Sequence, residues 1–161
     1  MPNSNLTVLG IDPGIARVGY GVVAISSGSL SLTTYGVIET QKGKAVGARL
    51  CRIQKELSLI IKRCKPDRIA IEKVFFAKNA STAMVVGEAR GVILLTAEEY
   101  GIPVAEFTPS VVKQSITGYG NADKAQIQRM VKALFRLRTI PRPDDAADAI
   151  AIAVCGTAMN V

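Results

Sequence analysis

Histidine is absent from this chain of 161 residues. Its absence excludes a Ser-His nucleophile, a histidine general base and histidine metal ligands. Catalysis must therefore rely on carboxylates, on lysines or on a metal ion that oxygen atoms hold. Tryptophan is absent too, and aromatic residues make up only 5% of the chain, which argues against a broad platform for stacking bases.

Cysteine is scarce, and Cys51, Cys64 and Cys155 form no C-x-x-C pair. Three thiols in apolar, helix-like sequence are typical of reduced core residues in a cytoplasmic protein. Long apolar runs are also missing, and no basic segment precedes an apolar one near the N-terminus. We therefore expect neither a membrane segment nor a signal peptide.

Basic charge and apolar residues are abundant. Hydrophobic residues make up 48% of the chain, which suits a folded core, and the length predicts one domain over residues 1–161. Lysine and arginine number 20 against 13 acids, a net charge of +7. This balance favours a polyanionic partner, with nucleic acid as the first expectation. The alternative is an ordinary soluble basic protein.

Hydrophobic periodicity predicts an α/β fold. Short apolar segments joined by turns predict an antiparallel meander of strands at 6–11, 17–25 and 30–39. Helical and buried-strand patterns then alternate, with helices at 47–65, 79–100, 110–117, 123–135 and 144–158 and strands at 68–74 and 102–107. The basic segment 136–143 reads as irregular. The pattern predicts a five-stranded mixed sheet, with the first strand at its centre and helices on both faces.

Two acids follow buried strands. Asp12 ends the first apolar run at a Pro-Gly turn, and Glu72 ends the run at 69–71. If these strands are parallel neighbours, both carboxylates emerge at the same edge of the sheet, where open α/β sheets bind ligands. The alternative for Asp12 is an ordinary turn residue that bonds the following amides.

Two further acids lie near the start of the last helix. Asp145 and Asp148 are three residues apart and share one helix face, in the first turns, where the helix dipole stabilises anions. Asp144 and Asp145 could instead be N-caps. Asp148 stands within an apolar, alanine-rich helix, so a structural role explains it less well.

Gathered carboxylates require a cation, or some of them take up protons. Oxygen ligands favour Mg²⁺, with Mn²⁺ as a substitute. Two such ions about 3.5–4 Å apart can activate a water and stabilise the leaving oxygen in phosphodiester hydrolysis. Basic charge, oxygen ligands and the lack of histidine together indicate a metal-assisted nuclease.

Four segments resemble the bacterial RuvC family of Holliday junction resolvases, in the same order along nearly the whole chain. They are Gly-Ile-Asp-Pro-Gly at 10–14, Ile-Glu-Lys-Val-Phe at 71–75, Ala-Lys-Asn-Ala at 77–80 and Asp-Ala-Ala-Asp-Ala at 145–149. The resemblance implies a ribonuclease H-like fold and a metal site made by Asp12, Glu72, Asp145 and Asp148. It favours Asp145 over Asp144, and any role of the histidine that some relatives carry near the last acids is absent here.

The resemblance also implies an activity. It suggests a Mg²⁺-dependent endodeoxyribonuclease, with two ions per site, that nicks two like strands of a Holliday junction during recombination and repair. A homodimer would supply two matched sites, with an interface on the helix that starts near residue 79. The RuvA-RuvB branch-migration complex would be a partner, and cutting would favour particular short sequences.

Basic residues are candidates for DNA contact. Lys124, Lys132 and Arg136 recur at four-residue steps around Gln128 and predict one polar helix stripe. For Lys132 and Arg136 an ordinary solvated face is an equal alternative. Lys124 stands in the first turn of a helix, where the dipole disfavours a cation unless an anion shares the site. If the protein is a nuclease of the resembled family, we also expect a catalytic role for Lys124, in neutralising charge at the phosphate.

The resemblance adds three further DNA-binding candidates. Lys113, like Lys124, matches a family position that looks like a DNA or active-site lysine, and Lys78 stands in the Ala-Lys-Asn-Ala segment that carries the resemblance. Phe75 becomes a candidate to stack on a base beside the cut, although packing in the core is the alternative for this residue.

Three other functions remain open at this point. A ribonuclease H-like nuclease could act on flapped or structured nucleic acid instead. A sugar-kinase- or actin-like phosphotransfer module also uses an Ile-Asp-x-Gly strand, but it needs a second lobe for which 161 residues leave no room. A passive, structure-specific DNA-binding protein would use the acids only as caps and turns.

Overall fold

The computed structural model describes residues 5–74 and 80–158. The strands are β1 (Leu6–Asp12), β2 (Arg17–Ser26), β3 (Ser29–Glu39), β4 (Arg68–Glu72) and β5 (Val104–Phe107). The helices are α1 (Val46–Cys64), α2 (Ala80–Glu99), α3 (Pro109–Thr117), α4 (Lys124–Leu134) and α5 (Asp144–Thr157).

The strands form one mixed sheet in the order β3-β2-β1-β4-β5. β1 to β3 make the antiparallel meander, while β4 pairs in parallel with both β1 and β5. This order confirms the predicted sheet and the central position of β1. It also confirms that Asp12 and Glu72 end neighbouring parallel strands.

Alternation along the strands divides the core between the two sheet faces. Val8 and Ala70 face a cluster that includes residues of α3, α4 and α5. Leu9 and Ile71 face a second cluster that α1 and α2 complete. Helices therefore cover both faces, as predicted, and the helices that carry the candidate acids and lysines share one face.

Helix α5 lies in backbone contact with the sheet because glycines stand beneath it. A Cβ atom on Gly10 would be 2.2 Å from the carbonyl oxygen of Ala149, and one on Gly19 would be 2.0 Å from that of Asp145. The inner side of α5 is correspondingly small, with Ala146, Ala149 and other alanines fully buried. This close approach brings the first turns of α5 beside the end of β1.

Helix α2 has an apolar outer side. Among the described residues it is the one helix long and apolar enough, by length and composition alone, to cross a membrane, and 22% of that stretch is buried. Its inner side packs in the core through Ala89, Ile93 and Ala97, and Arg90 pairs with Glu106 of β5 at 2.6 Å. We therefore describe α2 as a sheet-packed helix with an exposed apolar face.

We predict that Gly10→Ala strongly destabilises the protein, because the added Cβ has no space beside the α5 backbone. Overpacking costs about 1–3 kcal/mol when side chains can adjust, and backbone adjusts less easily. The free energy of unfolding should therefore fall by roughly 3 kcal/mol or more in urea denaturation. Gly47→Ala in α1 is the control, since no atom lies within 4 Å of its added Cβ. Equal stability of the two variants would contradict the close packing of α5.

Candidate active site

Three of the predicted acids meet in one cleft of about 300 Å³ at the carboxyl end of β1 and β4. Asp12 and Glu72 enter it as the last residues of their strands, and Asp148 enters from α5. Lys113 of α3 and Lys124 of α4 line the same cleft. The fold thus brings together side chains that are up to 136 positions apart in the sequence.

The fourth acid, Asp145, lines an adjoining cavity of about 350 Å³. Its neighbours there are Arg17, Lys124, Arg142 and Asp144. Because Lys124 lines both spaces, the cleft and the cavity form two halves of one charged site.

Lys124 lies between two carboxylates of α5. Its Nζ atom is 3.3 Å from Oδ2 of Asp148 and 3.5 Å from Oδ2 of Asp144. A capping box fixes the start of α4: Asp123 accepts a hydrogen bond from the Gln126 amide, and the Gln126 side chain accepts one from the Asp123 amide. The sequence predicted an anion beside a lysine in the first turn of a helix, and Asp144 and Asp148 fulfil that prediction.

Arg17 provides a second cation at the site. Its Nε atom is 3.5 Å from Oδ2 of Asp145. Neither Arg17 nor Arg142 was predicted from the sequence as a site residue. The sequence feature that could have indicated Arg17 is its position directly after the turn that follows Asp12.

Asp144 links α4, α5 and the segment before α5. Its Oδ1 atom accepts hydrogen bonds from Arg142 at 2.5 Å and from the buried Gln128 at 3.2 Å. The N-cap of α5 is Pro143, and no side chain caps that end. The alternative interpretation of Asp144 and Asp145 as N-caps is therefore wrong.

Burial makes negative charge costly in the cleft. It raises the pKa of Asp12 from 3.8 to about 8, with further increases from Asp148, Glu72 and Asp145 and an opposing effect from Lys124. Burial also raises the pKa of Glu72, helped by Asp148 and opposed by Lys113. It raises the pKa of Asp148 as well, although Lys124 acts against that rise. The positive charge near these three carboxylates therefore does not offset the cost of burying them.

These carboxylates suit a hard divalent cation because they offer oxygen donors and negative charge. Six acids and four basic residues line the cleft and cavity, so oxygen donors exceed the local cations. Within residues 5–74 and 80–158, however, no three acids already stand as a ready metal-binding group. Lys124 and Arg17 instead lie against the carboxylates of α5.

Residues 8–156 match the family model described as crossover junction endodeoxyribonuclease RuvC. The chain belongs to the RuvC family. The RuvC of Caldicellulosiruptor saccharolyticus is 52% identical over 93% of this chain and 91% of its own length. That of Petrotoga mobilis is 51% identical over 93% and 92% of the two chains.

Solved structures agree with this assignment. A structure described as T. thermophilus RuvC in complex with Holliday junction substrate matches with a TM-score of 0.89 and 36% identity, over 94% of this chain and 93% of that one. The yeast mitochondrial Holliday junction resolvase Ydc2 matches with a TM-score of 0.66 at 14% identity, which supports the shared fold alone. The ribonuclease H-like fold and the endodeoxyribonuclease class that the sequence predicted are confirmed. The alternative of a sugar-kinase- or actin-like module is wrong.

The remaining DNA-binding candidates of this RuvC family member lie apart from the cleft or outside the described residues. Phe75 and Lys78 lie outside them. Lys132 is exposed near the end of α4. α4 ends at Leu134, so the predicted helical stripe does not reach Arg136, and Gln128 is buried against Asp144 rather than exposed on that stripe.

Arg136 adopts a positive φ of 51°, which turns the chain away from the helix. It lines a groove of about 940 Å³ with residues 28–35 of the β2–β3 hairpin. That hairpin is at the end of the sheet opposite Asp12. DNA contact by Lys132 and Arg136 stays a prediction.

We predict that Asp12→Asn stabilises the metal-free protein, because the folded wild type must hold a carboxyl whose pKa is about 8. Between about pH 4 and pH 8 the unfolded state releases this proton while the folded state keeps it, so wild-type stability falls as pH rises. The stability gap between variant and wild type should be near zero at pH 4 and should widen up to pH 8. Urea denaturation in EDTA at several pH values measures it. A gap that does not change with pH would contradict the buried, charge-crowded position of Asp12.

Proposed function

We propose that this protein is a structure-specific endonuclease that resolves four-way (Holliday) DNA junctions by paired symmetric nicks in homologous recombination and DNA repair. One observation carries the proposal. Asp12, Glu72 and Asp148 share a cleft with two lysines, in a chain of a family whose T. thermophilus member has been solved with a Holliday junction substrate.

The proposed cofactor is Mg²⁺, for which Mn²⁺ can substitute, with two ions per site. The carboxylates that would hold these ions are those of Asp12, Glu72, Asp145 and Asp148. Oxygen is the ligand type that such ions prefer. When bound, such ions supply an activated water and stabilise the leaving oxygen of the phosphodiester. The raised pKa of Asp12 means that a cation also competes with a proton for this carboxylate.

The protein's own groups complete the proposed chemistry. Lys124, with Lys113 across the cleft, neutralises negative charge on the phosphate that is cut. Val112, Ile127 and Ala151 form apolar parts of the cleft wall. They limit water beside the reacting group, and this strengthens each electrostatic contact.

DNA contacts outside the cleft are part of the proposal. Phe75 and Lys78 follow Glu72 closely in sequence and are proposed to contact a base and a phosphate near the cut. Lys132 and Arg136 are proposed to contact backbone phosphates farther along the DNA. We also propose one nuclease domain over residues 1–161, a cytoplasmic location and cooperation with RuvA-RuvB.

A homodimer is the proposed assembly, with α2 at its interface. Met84 and Leu95 are 65% and 56% exposed, and Gly87 and Gly91 have no atom within 4 Å of an added Cβ. Their spacing places all four on one side of the helix. A second copy of this side would cover the apolar face, and a C₂ dimer would give two matched sites for two cuts.

The primary test uses synthetic four-way junction, duplex and flap DNA, with and without Mg²⁺. We expect junction binding without Mg²⁺ and, with Mg²⁺, nicks at matched positions in two like strands on denaturing gels. Asp12→Asn should keep junction binding and lose cleavage, because it removes charge while preserving shape. Glu56→Gln on α1 is the matched control and should cut normally.

Three other results would indicate a different function for the protein or for Asp12. Binding without nicks in any divalent metal would indicate a passive junction-binding protein. Faster cutting of flap DNA than of junctions would favour the other nuclease substrate. Full activity of Asp12→Asn would show that Asp12 is only a turn residue.

We predict that Leu95→Lys separates the dimer into monomers, since it places a charge in the apolar α2 face. Leu59→Lys on α1 makes the same change at a site that is 60% exposed, and it should leave the dimer intact. Sedimentation velocity measures both, with circular dichroism as the check on folding. A dimeric Leu95→Lys protein would rule out this interface.

A further inference from the structure

Two basic residues of the cavity beside the catalytic cleft, Arg17 and Arg142, have no role in the function proposed above. It holds the guanidinium groups of Arg17 and Arg142 at its surface, and it shares Lys124 with the cleft. Because Lys124 lines both spaces, a DNA strand with one phosphate against Lys124 in the cleft would bring a neighbouring phosphate to this cavity. Arginine suits that position because its planar group can make two parallel hydrogen bonds to one phosphate.

Arg17 has donors available for such a contact. It touches Asp145 through Nε at 3.5 Å, longer than the about 2.7–2.9 Å of a charge-assisted hydrogen bond. Its side chain is 48% exposed, so its terminal amino groups can be reached from solvent. Arg142 is held more firmly, with one Nη atom 2.5 Å from Asp144.

The partner of Arg17 is itself a proposed metal ligand. A divalent cation held by Asp145 would satisfy that carboxylate and weaken its attraction for Arg17. The positive charge of Arg17 is then available to a phosphate. Without a cation, the ion pair with Asp145 holds the arginine beside the cavity.

From this arrangement we infer that Arg17 and Arg142 form a second phosphate-binding subsite, which takes the phosphate adjacent to the one that is cut. The inference rests on the proposed junction cleavage and adds a subsite to it. Arg17 is its central residue, because the one ion pair that it makes among the described residues is long. Contact with a phosphate that does not react mainly strengthens binding of the DNA.

The test pairs Arg17→Gln with junctions that carry one neutral methylphosphonate, on either side of the cut phosphate. On native junction in Mg²⁺, Arg17→Gln should raise the half-saturating protein concentration about tenfold, the loss expected for one charge-assisted contact. Its maximal single-turnover rate should stay within about threefold of wild type. On one of the two modified junctions, the wild type should lose the same tenfold and Arg17→Gln should lose less than about twofold more.

Two further measurements separate this role from a structural one. Arg17→Gln should bind Mn²⁺, followed by electron paramagnetic resonance, at least as tightly as wild type, because a competing cation has gone. Arg52→Gln on α1 is the control and should match wild type on every junction. Equal losses on native and on both modified junctions, or weakened Mn²⁺ binding, would overturn the inference and assign Arg17 to positioning Asp145. A wild type that cuts no junction would instead defeat the proposed function.

Discussion

The contact between the α5 backbone and strands β1 and β2 determines where the chemistry of this protein can occur. Gly10 and Gly19 have no side chains, so the backbone of α5 lies directly against the strands at these two positions. The first turns of α5 therefore reach the end of β1, and Asp145 and Asp148 come beside Asp12. With a larger residue at either glycine, the helix would stand farther from the sheet and the acids would separate. The alanines of α5 serve the same requirement from the other side.

Charge crowding is the consequence of that contact. The site gathers acids in a partly buried place, where each disfavours ionisation of the next. Lys124 and Arg17 offset part of this cost through ion pairs with Asp148, Asp144 and Asp145. The balance remains negative around Asp12, whose pKa lies far above its ordinary value. The gathered carboxylates repel one another when no cation is bound, and an added positive charge relieves that repulsion. A metal-assisted nuclease requires a site of this kind.

Much of this arrangement could be predicted from the sequence, because it depends on local patterns. Apolar alternation and turn residues predicted the strands, and the order of strands brought Asp12 and Glu72 to one edge. Partners across the fold could not be predicted in this way. Asp144 bonds Gln128 and Arg142 rather than capping α5, because tertiary contacts outweighed a local preference. The extension of the polar stripe of α4 to Arg136 was also wrong: the positive φ of Arg136 ends the helical spacing there, and spacing alone gives no warning of it.

The two faces of the sheet are occupied by different helices, with α3, α4 and α5 on one and α1 and α2 on the other. Only the rigid strands between them are common to both cores. Substitutions on the outer side of α2 can therefore change that surface while they leave the packing around the acids on the opposite face unchanged.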